Sequence, residues 1–214
     1  MSPRLARRGL CLVLAAPSGA GKSSITRALI ATEPGLTLSI SATTRPMRAG
    51  EAEGVHYFFK TRAAFEALRA QGALLEHAEV FGRLYGTPRA PVEAALAAGR
   101  DVVFDIDWQG FRQIRAALPA DVVGLFILPP SRAALAERLA ARGDAPEEIA
   151  RRMALAWSEM RHAGEFDYVL INRNFETAVA EARAVLTAAR LATTRQLGLA
   201  AFLEAAARPD PDGA

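Results

Sequence analysis

One nine-residue stretch narrows the possible folds of this 214-residue chain more than any other: Ala16-Pro17-Ser18-Gly19-Ala20-Gly21-Lys22-Ser23-Ser24. It follows the apolar run Leu10-Cys11-Leu12-Val13-Leu14 and precedes a helix-like segment from Ile25. A strand, a small-residue loop, Lys-Ser and a helix form the context in which a backbone wraps phosphates. Gly19 and Gly21 let the chain curl so that successive N–H groups point inward, and the positive end of the following helix adds to their pull on an anion. Lys22 would reach the β- and γ-phosphates of a nucleotide, and the Ser23 hydroxyl would sit directly on Mg²⁺. The usual first glycine of such a loop is Ala16 here, which is tolerable if that residue keeps a negative φ.

The rhythm of the chain supports an α/β fold. Apolar runs at 10–14, 102–106, 122–128 and 168–171 read as strands buried on both faces, with a further strand at 36–41. Helix-period segments separate them, which argues a parallel sheet covered by helices. Boundary signals agree: Ser131 as the cap of a helix from Arg132, an Asp144/Glu147 capping box with Pro146 in the first turn, and a helix from there to about residue 163. A last helix is expected to start near Glu176 and to continue past Ala192. Two regions break the rhythm. Residues 42–88, rich in Thr, Arg, Gly and aromatics, read as a small mostly-β insert, and the Arg- and acid-rich stretch 138–152 reads as a flap of the kind that excludes water during phosphoryl transfer.

Composition excludes more than it selects. The net charge is +3 from 26 basic and 23 acidic side chains, too small an excess to argue for a nucleic-acid partner. The single cysteine, Cys11, reads as a buried inert thiol in a cytoplasmic, reducing setting. Arg4, Arg7 and Arg8 before an apolar run faintly resemble a secretion signal, but removing that run would remove the strand feeding the loop. No segment approaches the ~18 apolar residues of a membrane span. His56, His77 and His162 make no metal-ligand set. Trp108 and Trp157 fall on helical faces and read as core.

A second constellation opens the insert: Ser39-Ile40-Ser41-Ala42-Thr43-Thr44-Arg45-Pro46-Met47-Arg48-Ala49-Gly50-Glu51. Two arginines three apart can clamp one phosphate, with Tyr57 and Tyr85 adding phenolic donors. Then come Glu76, Tyr85-Gly86-Thr87 and Asp105-Ile106-Asp107-Trp108-Gln109-Gly110. An acid ending a buried strand beside a phosphate loop is an outer-shell partner of Mg²⁺, and Asp105 and Asp107 are both candidates; either could instead cap a helix.

With Arg138-Leu139-Ala140-Ala141-Arg142-Gly143 and Phe166-Asp167-Tyr168-Val169-Leu170-Ile171-Asn172, these motifs resemble those of the guanylate kinases over about residues 9–190. The resemblance implies a P-loop NTPase core at 9–41, 89–132 and 153–190, a GMP-binding insert at 42–88 and a lid at 133–152. A C-terminal helix at 191–207 and a disordered tail at 208–214 would follow. It implies transfer of the γ-phosphoryl group of ATP to GMP with Mg²⁺. Residues 16–24 and Asn172 would then meet ATP, with Asn172 near the adenine. Arg45, Arg48, Tyr57 and Tyr85 would hold the GMP phosphate, and Ser41, Glu76, Thr87 and Asp107 would read the guanine. Lys22, Arg45, Arg138, Arg142 and Arg152 would serve the transferring group. The lid is one residue shorter than common relatives, which leaves Arg151 as the alternative to Arg152, and Arg173 stands where an acid is usual. A non-catalytic scaffold of the same fold would have a degraded phosphate loop, and a kinase acting on a phosphorylated sugar would not need the Glu76 base reader.

Overall fold

The computed structural model describes residues 5–141, 143 and 145–208. Arg142, Asp144 and the tail beyond residue 208 lie outside the described residues, so the lid arginine, capping box and disordered tail expected there fall outside it too. Five strands form the central parallel sheet in the order β2-β7-β1-β8-β9: β1 (Cys11–Ala15), β2 (Leu36–Leu38), β7 (Asp101–Asp105), β8 (Val122–Leu128) and β9 (Tyr168–Ile171). The strand expected at 36–41 is shorter, ending at Leu38, because the chain there leaves the sheet for the insert.

β1 is fully enclosed. Leu10, Leu12 and Leu14 face one layer with α1 (Lys22–Thr32) and α7 (Phe175–Leu191). Cys11, Val13 and Ala15 face the other with α3 (Arg89–Ala97) and α4 (Trp108–Ala117). Alternate side chains of one strand thus feed two cores, which is why the run is apolar at every position. Burial pushes the Cys11 thiol up to about 12, as expected of an inert core thiol.

The insert forms its own sheet in the order β4-β3-β6-β5, from β3 (Ala42–Thr43), β4 (Phe58–Phe59), β5 (Leu74–Val80) and β6 (Arg83–Pro88). With α2 (Arg62–Ala70) it closes over a small core of Ala42, Phe65, Leu74 and Leu84. Two packed helices frame the stretch expected as a flap. α5 (Arg132–Ala140) is capped by Ser131 and pairs with α6 (Pro146–Met160) through Leu135, Leu139 and Ala156. The N-cap of α6 is Ala145, with Pro146 opening the helix and Glu147 and Glu148 in its positive first turn.

The last helix does not run past Ala192. α7 stops at Leu191, Ala192 is extended, and α8 (Leu199–Ala206) is a separate helix. Tertiary demand overrides helix propensity: the turn at 193–195 buries Arg195, whose guanidinium donates to the carbonyls of Gly9 and Asp121 at 3.3 Å each. Trp157 also departs from expectation, being 60% exposed, whereas Trp108 stacks on His162 with ring centroids 3.6 Å apart. Among the described residues no helix is long and apolar enough to cross a membrane.

An ionic clasp ties both ends of the chain to the edge of the sheet remote from the phosphate loop. Asp101, with no exposed surface, accepts two hydrogen bonds from Arg7 (2.7 and 2.8 Å), one from Arg190 Nε (2.7 Å) and one from the Leu10 amide (3.0 Å). Arg190 also meets Glu33 at 2.6 Å. Removing one partner of such a buried set strands the others. Asp101→Ala is therefore expected to cost about 3–5 kcal/mol in urea unfolding, and a loss under about 1 kcal/mol would show that the clasp does not hold the fold.

Candidate active site

The pairing of β1 builds the first half of the site. Leu14 lies in register with Asp105 of β7, so the carboxylate emerges beside the loop that leaves β1. Lys22 Nζ rests 2.8 Å from Asp105 Oδ1 and donates to the Ile106 carbonyl at 2.9 Å, while Ser23 Oγ donates to Asp105 Oδ2 at 2.8 Å. Gly19 (φ 92°) and Gly21 (φ 102°) adopt the left-handed backbone expected of the curl, and Gly21 is the N-cap of α1. The loop, Arg27, Asp105, Asp107 and Glu159 enclose a cleft of about 380 Å³.

Turning N–H groups inward turns carbonyls outward, and a buried carbonyl needs a donor. The Ala20 carbonyl receives Asn172 Nδ2 at 2.8 Å and Arg138 Nη1 at 3.4 Å, and Arg138 Nη2 donates to the Asn172 carbonyl at 2.8 Å. Asn172 is therefore buried behind the loop rather than aimed at an open base site, and Arg138 braces the same point. Asn172 follows β9, and the pairing of β9 with β8 sets its position. A Cβ on Gly21 would stand 2.4 Å from Asn172 Nδ2.

The insert builds the second half. Arg45 forks onto Glu51, with Nη2 to Oε1 at 2.7 Å and Nη1 to Oε2 at 3.0 Å, and the Arg48 amide donates to Glu51 Oε2 at 2.7 Å. The Arg45 guanidinium lies 5.2 Å from the Tyr57 ring centre, and Tyr57 meets Tyr85 edge-on at 6.2 Å. The Arg45 hydrogen bonds lead in holding the Glu51 carboxyl at about 2, so this brace is intact at neutral pH and is lost only as pH falls from 4.5 toward 2. Glu51 closed the quoted motif without a role; the spacing Arg45, Arg48, Glu51 is the signal that could have given it one.

Glu76 and Thr87 face each other across β5 and β6. The register shifts between Leu74 and Glu76, so a bulge at Leu75 breaks the alternation: Leu74 packs into the insert core, Leu75 into the core of the main sheet, and Glu76 comes to the face of Thr87. Thr87, 1% exposed, donates to Glu76 Oε1 at 2.8 Å. Burial leads in pushing the Glu76 carboxyl up, with Asp107 adding repulsion and the Thr87 hydroxyl opposing both. Ser41, Tyr57, Thr87 and Asp105 line a cavity of about 230 Å³, together with Ser39 and His56, to which no sequence motif gives a site role. Asp107 caps α4, its Oδ1 accepting from the Gly110 amide at 2.8 Å, and it also borders the phosphate-loop cleft.

The family model described as guanylate kinase matches residues 8–189. This chain belongs to the guanylate kinase family. It is 62% identical to a guanylate kinase of Granulibacter bethesdensis over 194 residues, 91% of each chain. It is also 62% identical to one of Gluconobacter oxydans over 197 residues, 92% of this chain and 95% of that one. A crystal structure of guanylate kinase from Anaplasma phagocytophilum superposes with a TM-score of 0.71 at 34% identity, covering 94% of this chain and 96% of that one. The family's parallel-sheet α/β core, expected from the loop and strand rhythm, is the fold observed.

One consequence is directly checkable. Gly21→Ala combines a strained left-handed backbone with a clash against Asn172, a cost of about 1–3 kcal/mol. The variant is expected to lose melting temperature and measurable ADP affinity together. Wild-type affinity would show that the loop tolerates a side chain at this position.

Proposed function

We propose that this guanylate kinase family member transfers the γ-phosphoryl group of ATP to GMP, giving ADP and GDP. The observation that carries the reading is the pairing of a phosphate loop that keeps Lys22 and Ser23 with a buried carboxylate, Glu76, held by Thr87, which lines a second cavity. Guanine offers two adjacent donors, N1–H and N2–H, beside the acceptor O6. Glu76 can accept from both donors, and the Ser41 hydroxyl can donate to O6. The Thr87 proton is engaged on Glu76, so Thr87 acts chiefly by fixing that carboxylate. Adenine would turn a lone pair toward Glu76 and leave a buried acceptor unpaired, the arrangement that gives strong rejection.

Arg45 and Arg48 would hold the GMP phosphate, with Glu51 fixing the Arg45 fork and Tyr57 and Tyr85 beside it. The acceptor oxygen is already anionic, so no general base is required. On the ATP side Lys22 would move from Asp105 to the phosphates, and Arg138, Arg142 and Arg152 would come from the lid and core to the transferring group. A hydroxyl and a carboxylate 2.8 Å apart at the loop suit a hard, oxygen-seeking cation. Ser23 would hold Mg²⁺ directly, with Asp105 and Asp107 in its outer shell, and the ion's chemistry is to neutralise developing phosphate charge. A non-catalytic scaffold would have no use for Lys22 and Ser23 held on a ready carboxylate.

A coupled assay over GMP, AMP, CMP and UMP with MgATP tests the assignment: GMP is expected to be strongly preferred, and equal or absent turnover of GMP overturns it. Lys22→Ala is expected to lower kcat by about 10²–10³ while sparing GMP binding, because the two phosphates occupy separate clamps. Loss of GMP affinity in a folded variant would contradict that separation. Glu76 must be ionised to accept from guanine, and its carboxyl sits above the ordinary 4.5. GMP affinity should therefore fall on acidification at a pH above 4.5, with proton release on binding in that range. Glu76→Gln should abolish that pH limb and relax rejection of AMP; an unchanged pH profile and selectivity would remove Glu76 from the base-reading role.

A further inference from the structure

β5 is the outer strand of the insert's sheet, so the backbone groups on its free edge have no neighbouring strand to pair with. At His77 a side chain of α4 takes that place. The His77 N–H donates to Gln113 Oε1 at 3.0 Å, and Gln113 Nε2 donates to the His77 carbonyl at 3.2 Å. The carboxamide thus gives this residue both the acceptor and the donor that a further strand would have given. A carboxylate or an apolar side chain of the same length could not do both.

His77 directly follows Glu76. Directly before Glu76, Leu75 joins the core that contains Phe111 and Ile114 of the same helix. β5 is therefore fastened toward α4 on either side of the buried carboxylate, while Thr87 holds the carboxylate itself from β6. The N-cap of α4 is Asp107, the second carboxylate expected at the guanine, and six residues, about 9 Å of helix, separate it from Gln113. One helix thus carries one acid and grips the strand that carries the other. Asp107 repels Glu76, so their spacing needs a fixed frame.

We infer that Gln113 is a positioning residue for guanine recognition: its carboxamide pairs with the His77 backbone and so fixes Glu76 relative to Asp107, setting the width of the base site from the core. The recognition part of this inference rests on the GMP kinase reading; the docking of β5 on α4 does not.

Two variants of the full-length enzyme test it. Gln113→Leu keeps the bulk and removes both hydrogen bonds. It is expected to raise the KM for GMP by about ten- to thirtyfold and to lower the preference for GMP over AMP, with kcat and the KM for MgATP within about twofold of wild type. Gln113→Glu keeps the acceptor for the His77 N–H and loses the donor, so its KM for GMP should fall between those of wild type and Gln113→Leu. Hydrogen exchange at the His77 amide, followed by NMR without nucleotide, should speed up in Gln113→Leu and stay near wild type in Gln113→Glu. If Gln113→Leu does not fold, Gln113→Glu decides alone, and wild-type GMP kinetics and selectivity there overturn the inference. Wild-type GMP affinity and selectivity in folded Gln113→Leu overturn it too, as does an equal rise in the KM for MgATP, which would mark a general structural role. If the wild-type protein turned over no GMP, the kinase reading would fall, while the exchange comparison would still decide whether Gln113 holds β5.

Discussion

The parallel pairing of β1 with its two neighbours is the constraint from which the rest follows. A parallel sheet delivers all its strand ends to one edge, and the loops there must do the chemistry. Because Leu14 is opposite Asp105, the carboxylate that Lys22 and Ser23 share arrives at the phosphate loop without any long-range search. Because β9 pairs with β8 in the same direction, Asn172 arrives behind the loop and satisfies the carbonyl that the loop's curl exposes. Removing the enclosure of β1 would cost two cores at once, and with them both supports of the loop.

The two halves of the site are built by different means. The core half uses rigid backbone: inward amides, a helix terminus and neighbours fixed by strand register. The insert half uses side chains braced by other side chains. Glu51 holds Arg45, and Thr87 holds Glu76. Bracing of this kind suits ligand recognition, because long flexible arginines and a buried carboxylate otherwise lose rotamer freedom only when the ligand arrives.

Much of the frame is legible in the sequence because local rules coincide there with the tertiary outcome. The runs of β1, β7 and β8 are buried on both faces, so they show as continuous hydrophobic stretches, and Ser131 is a cap by chemistry as well as by position; the run at 168–171 departs from that expectation, because β9 is an edge strand that buries only Leu170 and leaves Tyr168, Val169 and Ile171 exposed. The failures share another cause. α7 ends at Leu191 although the sequence remains helix-forming, because Arg195 must turn in to reach the carbonyls of Gly9 and Asp121, more than seventy residues away in sequence from either. In the stretch from α5 to α6 the charges are conspicuous, while Leu135, Leu139 and Ala156, which pack the two helices together, are too few to stand out. Trp157 shows that an aromatic on a helix face is no guarantee of burial.

The candidate site divides along the same line. The residues proposed to meet a ligand advertise themselves by type and spacing: glycines, a lysine, paired arginines, a carboxylate before a Tyr-Gly-Thr turn. Residues that hold those groups in place do not, because a brace is defined by what it reaches. Glu51 is three residues from Arg48 and could be found by spacing, but the engagement of Thr87 with Glu76 depends on the bulge at Leu75, which no local pattern announces. Bulge and pair depend on each other. Without the bulge, Glu76 would keep the alternation of β5 and point to the other face; without the Thr87 hydroxyl, a carboxylate turned inward would bear its desolvation with less compensation. The placement of Glu76 opposite Thr87 therefore rests on one extra residue in one strand.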